Sequence, residues 1–406
     1  MESICPEDKC TGCFACVNAC PKQCISMQTD KLGALHPVID RTKCIDCGMC
    51  VKTCPVNREI DFRSPLKCYA AWRTDAEARL DSASGGIGAL FSEYVVDKGG
   101  AVFGTAYDSE MVPRGVCVES IDGLEALKGS KYVQSVVGNT YRNIRNKLNQ
   151  GIQVVYISTP CQIAGLYGFL KKCYDNLLTV DLICHGVAPT SYFLSELDYI
   201  KEHKGIERIT NVTFRSNRKK ANYVFRIFNG KDCVYQKTAC QQYYFSGFLK
   251  GITMRENCYT CRYARPERVS DITIGDFIGI GKDVQFNGPV NVSAVIVNTE
   301  KGNRFVDEVC DRNKGHVVFE ERRYSEAVKY GPSLRTPFPR HKLSTRFTAL
   351  YSERGFAAAI RKTLGGEMRK DFWVNIYIKY CIRAPKKMIG IIRKFLIKVF
   401  WTEDHR

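Results

Sequence analysis

Cys10-Thr11-Gly12-Cys13-Phe14-Ala15-Cys16-Val17-Asn18-Ala19-Cys20-Pro21 is followed, 34 residues on, by Cys44-Ile45-Asp46-Cys47-Gly48-Met49-Cys50-Val51-Lys52-Thr53-Cys54-Pro55. Both stretches read C-x2-C-x2-C-x3-C-P, the spacing of a bacterial [4Fe-4S] run. Two-residue gaps let three successive thiolates wrap one face of a cubane, and the proline stops the chain from continuing as helix after the last ligand. In such twin runs the fourth cysteine serves the other cluster. The expected sets are therefore Cys10, Cys13, Cys16 and Cys54 for one cluster, and Cys44, Cys47, Cys50 and Cys20 for the second. Zinc needs four ligands per ion and does not account for three-thiol runs ending in C-P.

The surrounding composition fits a globular protein. The chain has 406 residues, 45% hydrophobic and 25% charged, enough for two or three domains with their own cores. Its 21 cysteines are clustered. Thiolates awaiting iron need a reducing compartment, and no secretory signal precedes the first run, so the expected localisation is cytoplasmic. No stretch has the length and apolarity of a membrane span. The net charge of +18 is uneven, with 14 Lys or Arg against 5 Asp or Glu from Arg346 to Arg406. A basic surface suits an acidic redox partner, an anionic substrate or a membrane face. Nothing besides charge points to nucleic acid, and none is expected.

After a linker at 58–67, an apolar run at Tyr69–Trp72 opens a new pattern. Ser82-Ala83-Ser84-Gly85-Gly86 leads into a helix with apolar positions at Ile87, Leu90, Phe91, Tyr94 and Val95, ended by Gly99-Gly100. Strands are expected at Ala101–Tyr107 and Val112–Val118, with a short helix near Leu124–Leu127. Ile152–Ile157 and Leu177–Ile183 are near-continuous apolar runs, as in parallel strands buried on both faces. Helices from Ile163 to Lys172 and from Phe193 to His203 complete a strand–helix–strand–helix unit. Later strands are expected at Val212–Phe214, Tyr223–Phe228, Asp271–Ile274 and Val292–Val297. The fold class expected is α/β: an α+β two-cluster domain at 1–62, then a mixed, largely parallel α/β domain in two parts, 66–148 and 149–345, and a basic helical tail at 346–406.

A third group of cysteines lies inside the second domain. Cys161 and Cys184 each follow a parallel strand, on the edge where open α/β sheets bind ligands. Cys258-Tyr259-Thr260-Cys261 adds a C-x2-C turn. These four thiols would suffice for a third cluster. Zinc, redox chemistry or plain buried cysteines are equally readable from the spacing. The other cysteines, including Cys5 and Cys24 beside the first run, do not fit the ligand spacing. His185 follows Cys184 as a loop histidine.

Ser84-Gly85-Gly86, Gly129-Ser130-Lys131-Tyr132, Thr159-Pro160-Cys161-Gln162, Cys184-His185-Gly186, Cys258-Tyr259-Thr260-Cys261 and Asp271-Ile272-Thr273-Ile274-Gly275-Asp276-Phe277 occur in that order. The series resembles the beta subunit of the coenzyme F420 hydrogenases and dehydrogenases, a family that includes 7-hydroxymethyl chlorophyll a reductase. The resemblance spans about residues 66–330. It implies FAD beside a [4Fe-4S] cluster, with Cys161, Cys184, Cys258 and Cys261 as cluster ligands. It also implies flavin contacts at Ser84, Gly85, Gly86, Lys131, Tyr132, Thr159, Gly275 and Asp276. There is no G-x-G-x-x-G, so the flavin rests on the resemblance alone; no residue stands out as catalytic.

Lys386–Trp401 reads as a basic amphipathic helix, suited either to the inner face of the membrane or to packing on protein. The expected function is an iron–sulfur flavoprotein oxidoreductase that takes electrons from ferredoxin or a similar small carrier and passes them to an organic substrate. The alternative is a non-catalytic electron-transfer subunit of a larger complex. A homo-oligomer is compatible with both, and the substrate is not readable.

Overall fold

The computed structural model describes residues 3–216 and 223–377. In the cysteine unit each run ends in about one turn of helix, α1 (Ala15–Ala19) and α2 (Met49–Thr53). Phe14 (φ 63°) and Gly48 (φ 68°) enter these turns in the left-handed region. Between the runs lies an antiparallel hairpin, β1 (Ile25–Thr29) and β2 (Leu35–Ile39). Cysteines supply much of the small core here, together with Ile4 and Ile25.

The chain then builds β3 (Lys67–Arg73), α3 (Ala76–Leu80), α4 (Ile87–Asp97), β4 (Ala101–Tyr107) and β5 (Pro113–Val118). The expected helix near Leu124 is a 3-10 turn, Asp122–Leu127. Next come α5 (Thr140–Asn149), β6 (Val154–Ser158), α6 (Pro160–Leu170), β7 (Leu177–Leu182) and α7 (Thr190–Lys204). β8 (Asn211–Arg215), β9 (Tyr223–Asn229) and β10 (Asp232–Thr238) form a separate antiparallel sheet, followed by α8 (Tyr243–Leu249). β11 (Ile272–Asp276), β12 (Ser293–Val297), α9 (Glu300–Arg312), β13 (Val317–Glu321), α10 (Tyr324–Tyr330) and α11 (Ser344–Tyr377) complete the order.

The main sheet runs β13-β3-β12-β11-β7-β6-β4-β5. Its centre is parallel, β11 on β7, β7 on β6 and β6 on β4, while the outer pairings are antiparallel. The parallel centre explains the continuous apolar runs. Val155 faces a core shared with α4 and α9, whereas Val154 and Tyr156 face one shared with α5 and α6. Each residue of such a strand is buried by one helical layer or the other.

A second large core lies under the small sheet. Phe193, Phe214, Phe225, Tyr244, Phe245 and Phe248 meet there, and α11 adds Phe347, Phe356, Ile360 and Leu364. The start of the basic C-terminal stretch thus packs into the protein, with a break in α11 at Gly355 (φ 69°). The amphipathic pattern at 386–401 lies outside the described residues. No helix among the described residues is long and apolar enough to cross a membrane.

The cysteine unit is seated on α6. A Cβ on Gly168 would lie 2.3 Å from the Thr53 carbonyl oxygen, and one on Gly165 would lie 3.0 Å from Cys13 Sγ. Only glycine lets α1 and α2 approach so closely. Cys13, Phe14 and Ala15 consequently share one core with Ile163, Leu166 and Phe169. Arg142 tightens the seat by donating to the carbonyls of Val17, Asn18 and Cys20.

Candidate redox centres

The twin runs produce two thiol-lined hollows. Cys10, Cys13, Cys16 and Cys54 line one, and Cys20, Cys44, Cys47 and Cys50 line the other. Each hollow draws three thiols from one run and the last from the other. The spacing argument missed one neighbour at each. Cys5 lines the first hollow beside Cys10 and Cys54, and that proximity raises its own pKa and lowers theirs. Cys24 Sγ lies 3.4 Å from Cys20 Sγ. Local spacing could not reveal them, because the contacts depend on where the two runs cross.

Cys161, Cys184, Cys258 and Cys261 also come together. Cys161 sits in the first turn of α6 after Thr159 and Pro160, and Cys184 follows the end of neighbouring β7. The 3-10 turn Glu256–Thr260 carries Cys258 and leads into Cys261. Each thiolate repels its neighbours in the set. Burial pushes Cys184 and Cys258 up to about 12 and raises Cys161 and Cys261 as well. A cation bound there would have to displace protons.

At the twin runs, an all-thiol donor set of three cysteines from one run and one from the other fits paired iron–sulfur clusters.

Two buried arginines organise this region. Arg268 is 2% exposed and donates to Asp181 at 3.0 Å and to the carbonyls of Tyr263 and Leu182. It thereby ties the loop after Cys261 to the strand before Cys184. Arg255, also 2% exposed, donates to Gln134 and to the carbonyls of Leu35 and Cys10. Its charge favours the thiolates of both Cys10 and Cys258, so one cation stands between the first hollow and the third set. Neither arginine belongs to a recognisable motif.

The expected flavin residues gather along the carboxyl edge of the parallel strands. Ser84 (φ 55°), Gly85 and Gly86 (φ 83°) pack on the end of β3, where Gly85 N–H bonds Ser293 and a Cβ at Gly85 would lie 2.2 Å from the Ala71 carbonyl oxygen. This loop starts α4 without a side-chain cap. Arg73 lies beside Gly86, pairs with Glu93, and has a buried Nε without a partner. An uncapped helix start beside an arginine fits a phosphate.

The remaining candidates divide by role. Asp276 ends β11 in an ion pair of 2.9 Å with Arg215, whose Nε is buried and unpartnered. Tyr132 lies near both and stacks on Phe245 and Phe248. Thr159 Oγ1 is 3.3 Å from Cys161 Sγ. Gly275 has a packing role, since a Cβ there would lie 2.7 Å from Ile183 Cβ. Lys131 Nζ donates to the carbonyls of Ala126, Leu127 and Lys128, at the end of the 3-10 turn, and burial lowers it to about 8. His185 packs between Phe248 and Phe338, with Nε2 unpartnered, and burial lowers it to about 4.

Comparison with protein families matches residues 9–58 to the 4Fe-4S dicluster domain. Residues 152–321 match the carboxyl-terminal region of the coenzyme F420 hydrogenase/dehydrogenase beta subunit. Among solved structures, a chain of the F420-reducing [NiFe] hydrogenase complex from Methanosarcina barkeri is similar at a TM-score of 0.44 and 16% identity. The match covers 72% of this chain and 96% of that one. No curated protein matches by sequence.

Proposed function

We propose that this chain, whose residues 152–321 match the coenzyme F420 hydrogenase/dehydrogenase beta-subunit family and whose residues 9–58 match a 4Fe-4S dicluster domain, is an iron–sulfur flavoprotein oxidoreductase. On this reading it takes single electrons from ferredoxin or a similar carrier and reduces an organic substrate. The observation that carries it is one sheet edge holding the third thiol set together with an uncapped helix start and two arginines with unpartnered nitrogens.

Cys161, Cys184, Cys258 and Cys261 would hold the third cluster. Ser84, Gly85 and Gly86, with Arg73 alongside, would receive the FAD pyrophosphate. FAD, when bound, collects single electrons and delivers them as a pair. The protein contributes position and electrostatics. Arg268 and Asp181 hold the cysteine loops in register, and Arg215 with Asp276 offers a polar pair beside Tyr132. The rings of Phe248 and Phe338 pack on His185.

The test is iron, acid-labile sulfide and flavin per chain on protein purified without oxygen. The expected result is about 12 irons, three cubanes, with one FAD. Protein that carries no flavin and cannot be given any would sink the reading. Substrate turnover by the isolated chain separates an enzyme from an electron-transfer subunit that works only beside a partner.

A further inference from the structure

The two ferredoxin-type hollows are built alike but do not face alike. Cys10, Cys13, Cys16 and Cys54 are all buried, and their set lies against α6 and Arg255. In the other set Cys47 is exposed and Cys44 partly so, and the intervening Ile45 is 58% exposed. An exposed apolar residue at the lip of a redox centre is an interface feature when charge surrounds it.

Charge does surround it, and its sign is uneven. Lys22 lines the hollow itself. Lys43 adjoins Cys44, Lys52 lies on α2, and Lys171 Nζ reaches Met49 Sδ at 3.7 Å. All four lysines are exposed. The local carboxylates are Asp40, paired to Lys43 at 3.0 Å, and Asp46, beside Cys44. Cations therefore outnumber carboxylates around the apolar centre.

We propose that this rim, centred on Ile45 and Cys47 and ringed by Lys22, Lys43, Lys52 and Lys171, is the docking face for an acidic one-electron carrier protein. It rests on the redox reading above and adds where the carrier binds. An acidic partner is steered by the lysines and seats its own redox centre over Ile45. Electrons then enter at the outward centre, while the inward centre faces the third thiol set.

The test is calorimetric binding of an acidic bacterial 2[4Fe-4S] ferredoxin to the cluster-loaded full chain, without oxygen, at low and moderate salt. The fourfold variant K22E/K43E/K52E/K171E is compared with K201E/K204E/R208E, a charge reversal of similar kind at the end of α7. The expected result is binding that weakens with salt and falls by about tenfold or more in the rim variant, with iron content unchanged and the α7 variant unaffected. Equal losses in the two variants would overturn the docking face, because only overall charge would then matter. So would a fully iron-loaded wild-type chain that binds no ferredoxin; the redox reading would survive that result. Wild-type protein that takes up no iron would overturn both.

Discussion

Single residues set the electrostatics of the centres. Arg255 is buried between Cys10 and Cys258, and a fixed cation there favours whichever cluster state carries more negative charge. Arg255→Gln should shift the potentials of both adjoining centres downward. A lost interaction of about 1.4 kcal/mol corresponds to about 60 mV for one electron. Redox titration followed by electron paramagnetic resonance checks this, and unchanged potentials would confine Arg255 to a structural role. Lys131 offers a pH test. Burial has lowered its pKa to about 8, and the negative charge of bound FAD would raise it again with uptake of a proton. FAD affinity should therefore be greatest below that value and fall as pH rises through it. Lys131→Met should flatten the profile. Fluorescence titration of FAD across that range decides, and an unaltered profile would leave Lys131 as a cap of the 3-10 turn alone.

At the scale of elements, α6 has two duties: its first turn presents Cys161, and its glycine face receives the cysteine unit. Gly168→Ala drives a methyl group against the backbone carbonyl of Thr53, which cannot swing aside. The expected cost is about 1–3 kcal/mol, the range for overpacking, measured by denaturant unfolding. Gly365→Ala is the matched contrast, since nothing lies within 4 Å of that Cβ and the site is helical. That change should stabilise by about 0.5–1 kcal/mol. The central strands were legible because β6 and β7 are buried on both faces and their apolar runs are unbroken. β13 and β10 were not, since one is a half-buried edge strand and the other is mostly exposed. Helix α11 was expected as part of the helical tail, but its packing into the core was not legible, because its core contacts are scattered among charged residues. Strand ends and spacing offered the four central cysteines as one reading among several, and the family resemblance singled it out, because Cys161, Cys184 and the C-x2-C turn meet by tertiary packing.

For the whole molecule, what the duplicated sequence conceals is inequality. Two runs of identical spacing predict two equivalent sites, and nothing in that spacing says which will lie against α6 and which will meet solvent. The shared core of Cys13, Phe14, Ala15, Ile163 and Leu166 makes the cysteine unit and the main sheet fold as one. Cluster-loaded protein should therefore melt in a single calorimetric transition. Two well-separated transitions would show that the seat contributes little. The linker carries this further. Arg63 and Arg268 exchange backbone hydrogen bonds, and Leu66 bonds Val297. The segment between the halves is thus stitched into the sheet domain along its length, a rivet where a leash would have served. Redox proteins that send a loosely tied head back and forth are paced by its excursions and slowed in syrupy solvent. A riveted head has no stroke to complete, and its working rhythm is left to chemistry and to the arrival of its carrier.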